Sequence, residues 1–252
     1  MRVSLHELVL VLLLCGAGRV FGLIEDLYPS SSLDQIKLLY CDADIIVLDK
    51  PPNLNTVPGV VESTSLAQYA AEVFKVARVD QMIVHRLDYG TSGVVVLARN
   101  IEALTILHKQ FRNKHQVFKE YSAVVFGTPP SMEGEIDLPL GKDSLRGSPF
   151  QAFDPVEGKP SLTLYRLRQY SKQQSLLLLR PITGRTHQLR VHLASIALPI
   201  MGDKFYCSEE SRLLDLSFDS QRLWLHAETL GVVHPRTNLP LRFTAKRPFN
   251  LP

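Results

Sequence analysis

The chain has 252 residues, 28 Lys and Arg against 25 Asp and Glu, a formal net charge of +3, and 45% hydrophobic residues. That is enough apolar material for a proper core, which excludes a disordered chain, and the charge is too balanced for a tail that grips nucleic acid by charge alone. Cys15, Cys41 and Cys207 form no CxxC pair and have no His at zinc-ligand spacing, which excludes a disulfide framework and a zinc module.

Residues 1–22 have Arg2 early, an apolar run over 8–15 and small residues after it, the layout of a secretory-type leader with cleavage after Gly18 or Gly22. The run is too short to span a bilayer, and Glu7 interrupts the basic region, so an attached hydrophobic helix is the alternative. No later apolar run approaches about 18 residues, so no stable membrane association is expected once the leader is removed. A polar linker over 23–34 precedes one expected domain over 35–252.

Within that domain, the apolar, largely β-branched run Ile45, Ile46, Val47 and Leu48 reads as a buried strand, stopped by Pro51 and Pro52. "SLAQYAAEVFKVA" carries Leu66, Tyr69, Ala70 and Phe74 at near-helical spacing, with Ser65 as its cap. "IVHRL" and "GVVVLAR" read as short strands on either side of a loop holding Asp88. Asn100 caps a helix with Leu104, Leu107 and Phe111 on one face and Lys109, Arg112 and Lys114 elsewhere. "FKEYSAVVFG" reads as a strand ending at Gly127, and residues 128–158 as loop with short pieces of structure. "SLTLYRLRQY" and "SLLLLRPI" read as a hairpin around "SKQQ". "RTHQLRVHLASIA" predicts a helix from near Arg185 to before Pro199, and strands near 222–232 and 239–244 close the chain. Strand runs outnumber helices and are not alternated regularly with them, so the fold class expected is α+β with a mixed, largely antiparallel sheet and flanking helices.

Four patterns carry chemistry, and each has a plain structural alternative. Asp88, between Arg86-Leu87 and Tyr89-Gly90, fits a catalytic carboxylate or a turn cap; a DxDGT-type phosphoryl nucleophile fails because Gly90 stands where the second carboxylate is needed. On a helix begun at Arg185, Arg185, Gln188 and His192 reach a common surface, where Arg185 grips a carboxylate or phosphate; otherwise this is a solvated face carrying Arg190, and His187 and His192 are ordinary capped or core histidines. Lys119 and Tyr121 share a strand face, where Tyr121 offers an aromatic platform and a phenol, or simply a core contact. Arg99, Lys109, Arg112, Lys114 and Lys119 against Glu102 make a patch that can follow a phosphate backbone or just face water.

Taken in order, "HRLDYGTSG", "KEY", "GRTHQLRVH" and "GDKFY", with Lys50-Pro51, "GEIDLPL" from Gly134 and "GKPSLTLY" from Gly158, resemble the RluA-type family of RNA pseudouridine synthases over about residues 36–243. The resemblance implies a single catalytic domain of the pseudouridine synthase fold around a central cleft, with no metal and no organic cofactor. It implies that Asp88 is the catalytic carboxylate acting on a flipped-out uridine, that Arg185 pairs with it, and that Tyr121 stacks on the base. Arg86 would enter the RNA and hold the flipped state, Leu189 would wall the pocket, and His187, Lys119 and Arg112 would contact substrate. The partner implied is RNA, rRNA or the tRNA anticodon stem-loop or both, met by a monomer of the compact subtype that lacks an S4-type module. Asn53 where Gly is common, Val94 for Leu and Ser161 for Ala depart from the family pattern. A catalytically silent RNA-binding or assembly protein is the competing reading, opposed by the intact Asp88, Tyr121 and Arg185; a small-molecule hydrolase using Asp88 ranks last. The leader points to an organelle reached through the secretory route, such as a plastid, or to a mitochondrion, and to the cytoplasm if it is not functional.

Overall fold

The computed structural model describes residues 33–59, 64–113, 116–207 and 222–251. The expected leader over 1–22 and nearly all of the linker over 23–34 therefore lie outside the described residues. Among the described residues no helix is long and apolar enough to cross a membrane. The strands are β1 (Lys37–Cys41), β2 (Ile45–Lys50), β3 (Ser92–Ala98), β4 (Phe118–Phe126), β5 (Glu133–Asp137), β6 (Leu140–Lys142), β7 (Gln151–Phe153), β8 (Leu162–Tyr170), β9 (Gln174–Pro181), β10 (Leu225–Val233) and β11 (Pro240–Thr244). The helices are α1 (Leu66–Val73), α2 (Ile101–Arg112) and α3 (Gln188–Ser195). The chain groups into two compact units, one of residues 33–118 and 230–245 and one of residues 119–229 and 246–251, counting described residues.

In the first unit the hydrogen-bonded strand order is β1-β2-β3-β10, with β11 also on β10. The β1–β2 and β2–β3 pairings are antiparallel, with Lys50 opposite Gly93 at the end of the β2–β3 ladder. Every residue of β3 is buried, which is why its sequence is a continuous apolar run rather than an alternation. Ile45, Val47, Val94 and Val96 form the core with Ala103, Leu104 and Leu107 of α2, whose apolar face is the one the spacing predicts. Both helix starts are capped as read: Ser65 and Gln68 form a reciprocal capping box on α1, and the Asn100 side chain accepts from the Ala103 N–H on α2. Strand β1 is not among the elements read from the sequence; it is only partly buried, from exposed Lys37 to half-buried Cys41.

The second unit has the strand order β10-β4-β9-β8-β5, with β6–β7 a separate two-stranded sheet. The β4–β9, β5–β8, β8–β9 and β6–β7 pairings are all antiparallel. The first half of β8 alternates between buried and half-buried residues, the period-two pattern of a strand with one face on the core. Ala123, Val125, Leu177, Leu179, Leu189 and Leu193 lie in one core cluster, against which Tyr121 packs. The chain thus has the expected α+β, largely antiparallel class. Two expected elements differ. "IVHRL" is not a strand: among residues 83–87 only Ile83 makes an isolated bridge, to Leu97. The helix expected from Arg185 starts at Gln188, for a reason that bears on the site.

Candidate active site

In the first unit, a series of backbone tethers determines where Asp88 sits. The His85 ring stacks on Phe111 with centroids 4.7 Å apart, and its Nε2 accepts from the Val96 N–H at 3.1 Å, which draws the chain out of strand geometry. Two residues on, the buried Thr56 hydroxyl both accepts from the Leu87 N–H at 3.0 Å and donates to the Leu87 carbonyl at 2.8 Å. Thr56 is itself anchored, because α1 lends its otherwise unused N-terminal amides: Leu66 N–H donates to the Asn55 carbonyl and Ala67 N–H to the Thr56 carbonyl. On the far side of Asp88, the fully buried Lys50 ammonium donates to the carbonyls of Pro51 and Leu54 and, at 3.3 Å, of Tyr89. A buried ammonium is costly without such partners, and three carbonyls match its three donors. A Thr91 N–H to Asp88 carbonyl bond of 3.0 Å closes the turn. Asp88 itself is half-buried, Arg86 is exposed and Tyr89 is 57% exposed.

The loop after β2 explains one departure from the family pattern. Asn53 has φ of 59°, in the left-handed region where glycine is favoured and asparagine is the best-tolerated side chain. The other two are buried: Val94 in β3, and Ser161, whose hydroxyl donates to the Lys159 carbonyl at 2.8 Å. Arg112, at the end of α2, is exposed, as is Lys109.

In the second unit, Gln188 organises the segment that carries Arg185. Its buried amide oxygen accepts from the Thr183 hydroxyl at 2.7 Å and the Arg185 N–H at 3.0 Å, while its nitrogen donates to the Leu162 carbonyl and to Thr163 Oγ1, both at 3.0 Å. These four bonds use the full capacity of a primary amide. They hold residues 183–185 out of helical geometry, a turn closed by Gln188 N–H on the Arg185 carbonyl follows, and His187 within it lies in the left-handed region with φ of 55°, so regular helical bonding begins only at Gln188. Arg185 is consequently off the helix, exposed, with its guanidinium Nε and Nη2 each 3.4 Å from the Pro160 carbonyl. Gln188 and His192 are not on a common surface with it, contrary to the helical-wheel expectation; both are buried.

His192 is a core histidine. Its Nε2 donates to the Leu138 carbonyl and its Nδ1 lies 3.0 Å from Thr163 Oγ1; burial depresses its pKa, against the pull of the Leu138 bond and of Asp137. The helix face is not solvated either. Arg190 is buried in a two-pronged pair with Asp203, with bonds of 2.8 Å each, beneath the rings of Phe205 and Tyr206. His187 is half-buried with Nδ1 at 2.7 Å from the Tyr206 hydroxyl, which itself accepts from the Gln151 N–H.

On β4, Lys119 and Tyr121 share a face as read, and both are half-buried. Lys119 Nζ donates to the Thr183 carbonyl at 3.5 Å, next to Gly184, and burial lowers its pKa. Leu189 is buried in the cluster against which Tyr121 packs. Lys119, Tyr121, Arg185, His187 and Leu189 are thus placed by one β4–turn–α3 assembly, whereas Asp88 and Arg86 belong to the tethered loop of the other unit. Reading the residues without the family resemblance missed Lys50, Thr56 and the Arg190–Asp203 pair. Lys50-Pro51 and "GDKFY" stand out only as family segments, and Thr56 leaves no sequence signal because its role depends on a residue 31 positions away.

Residues 44–195, which include both segments, match the model of the RNA pseudouridylate synthase family. The chain belongs to that family. It is 38% identical over 213 residues to the dual-specificity RNA pseudouridine synthase RluA of Escherichia coli (strain K12), covering 84% of this chain and 93% of that one. The RluA of Pasteurella multocida (strain Pm70) is 37% identical over 220 residues, covering 85% and 94%. Among solved structures, human RNA pseudouridylate synthase domain containing 1 superposes with a TM-score of 0.72 at 25% identity, covering 88% of this chain and 87% of that one. Human RNA pseudouridylate synthase domain containing 4 gives 0.66 at 26%, covering 84% and 88%. The chain is an RNA pseudouridine synthase, an isomerase whose substrate is RNA.

Proposed function

We propose that Asp88 is the carboxylate that carries the isomerisation, with Tyr121 and Arg185 as its partners in chemistry. The reaction breaks the bond from N1 of uracil to C1′ of ribose, forms one from C5 to C1′, removes the C5 proton and returns one to N1. Atoms and charge balance without an oxidant, a reductant or a group donor. A carboxylate can start it by adding at C1′ or by removing the 2′ proton, and in either case it must be held still while the base turns over beside it. What supports Asp88 most directly is the bracing of its neighbours, Leu87 by Thr56 and Tyr89 by Lys50, around a half-buried side chain. Tyr121 supplies an aromatic face for the uracil and a phenol for the C5 proton, and Arg185 the positive charge that keeps the reacting carboxylate oriented. Arg86 reaches into the RNA, Leu189 is apolar wall, and Lys119, His187 and Arg112 contact substrate. The substrates proposed are rRNA and the tRNA anticodon stem-loop, met by a monomer that needs no metal.

The test uses the purified chain and its Asp88→Asn variant on unmodified total RNA, with pseudouridines mapped by chemical labelling and sequencing. New marks are expected from the parent and none from the variant, whose RNA affinity should stay within about tenfold, roughly 1.4 kcal/mol. Near-normal turnover by the variant would remove Asp88 from its role. For localisation, the proposal is an organelle reached through the leader, and a fluorescent fusion spread evenly through the cytosol would overturn it.

A further inference from the structure

Tyr89 is the residue immediately after Asp88, and nothing in the reaction as described uses its ring. It is 57% exposed, on a loop whose neighbouring buried groups are firmly tied. Its own carbonyl accepts from the buried Lys50 ammonium, the preceding carbonyl accepts from Thr91 N–H, and Leu87 is held at both backbone groups by Thr56. A large aromatic side chain left in water on a rigid loop is poised to gain binding energy without first ordering its backbone. Its surroundings select the partner. Arg86, also exposed, lies three residues before it on the same loop, so a cation and an aromatic face flank the carboxylate. Those are the two side-chain chemistries that receive unstacked bases of RNA, by guanidinium or ring stacking.

We propose that Tyr89 is an RNA-binding residue whose ring stacks on the base flanking the target uridine once that uridine has left its stack. The proposal rests on the assignment of Asp88 to the reaction. Removing a uridine from a helix or structured loop leaves its neighbour with an uncovered face, and an aromatic ring next to the catalytic carboxylate is placed to cover it. Stacking of this kind is worth about 1–3 kcal/mol per base, or on the order of 5- to 150-fold in affinity. Because the contact persists through the reaction, it should appear in binding rather than in the rate at saturation.

Tyr89→Ala and Tyr89→Phe are compared with the parent in two measurements. The first is equilibrium binding to unmodified total tRNA, which requires no turnover. The second is KM and kcat on the transcript in which the parent places pseudouridine, prepared with either a normal base or an abasic residue beside the target. Tyr89→Ala is expected to weaken binding and raise KM at least fivefold with kcat within twofold, Tyr89→Phe to match the parent, and the Ala effect to vanish on the abasic transcript. A Tyr89→Ala variant that binds and turns over like the parent overturns the proposal. So does a Tyr89→Phe variant as weak as Tyr89→Ala, which would assign the effect to the phenol, or an Ala effect that persists on the abasic transcript. Failure of the parent to form any pseudouridine would instead defeat the assignment of the reaction, while tRNA binding still reports on Tyr89.

Discussion

At the scale of single residues, Asp88 owes its position to side chains that never touch RNA. Thr56 satisfies both backbone groups of Leu87, and Leu87 is buried, so removing the hydroxyl strands a donor and an acceptor away from water. Thr56→Val keeps the shape and loses both bonds, at a cost on the order of 2 kcal/mol. It is expected to lower kcat at least tenfold with RNA affinity nearly unchanged, whereas Thr56→Ser should restore the rate. Ser175→Ala, which removes a buried hydroxyl bonded to the Gly127 carbonyl in the other unit, serves as the control for general destabilisation. Single-turnover kinetics on saturating RNA decides between them, and equal rates for Thr56→Val and Ser175→Ala would reduce Thr56 to an ordinary core contact. Asp88 could be picked out in the sequence by its family motif, and Thr56 could not, because a hydroxyl that replaces a β-ladder partner leaves no local pattern.

At the scale of elements, the sequence patterns worked best where the periodicity was long and one-sided. Helix α2 has its cap at Asn100, its core face at Leu104 and Leu107, and its basic residues outside, all as the spacing predicts. Its exposed Arg112 gives a prediction of its own. A side chain that meets only a phosphate should weaken binding to all RNAs alike, so Arg112→Ala is expected to reduce the slope of log affinity against log salt by about 0.7–0.9. Titrations at several salt concentrations check this, and an unchanged slope would take Arg112 off the RNA. Helix α3 shows where periodicity misleads. Arg185 falls on the Gln188–His192 face of an ideal helix, but the Gln188 amide captures the Arg185 N–H and the Thr183 hydroxyl and keeps the preceding residues in a turn. The consequence is one of position: Arg185 is exposed on a fixed turn instead of sharing a helix face with buried residues.

At the scale of the whole molecule, folding stability should depend on a charge pair remote in sequence. Asp44, beside β2, receives two bonds from the Arg236 guanidinium, at 2.7 and 2.6 Å, and one from Asn100 at 3.0 Å. Arg236 holds the Asp44 carboxyl below its usual range, against the effect of burial and with help from Asn100. A carboxyl whose pKa is lower folded than unfolded adds stability above its unfolded value, near about pH 4, and that contribution is lost as pH falls through the folded value. The Tm of Arg236→Gln should therefore lie below the parent's at neutral pH, and the gap should narrow as pH drops from about 4 toward 2. Thermal melts across that range check the sign, and a gap independent of pH would mean the pair contributes nothing through ionisation. Asp42, Asp44 and His234 lie close enough to suggest a metal site, but Asp42 bonds Tyr40 and His234 while Asp44 bonds Arg236, so these carboxylates serve as tethers.

The sequence by itself determined the family, the strand-rich α+β class, two helix caps and the identity of Asp88, Tyr121 and Arg185 as candidates. These are local properties: a motif, a period or a capping residue is written in neighbouring positions. Only the tertiary structure decided that Arg185 stands off the helix, that Gln188, Arg190 and His192 are buried and hydrogen-bonded, and that Lys50 and Thr56 fix the residues on either side of Asp88. A polar side chain looks the same in a sequence whether it faces water or a buried carbonyl. Which of the two it meets depends on strands and loops that are distant along the chain, and the cost of leaving such a group unpaired in the core then fixes its geometry.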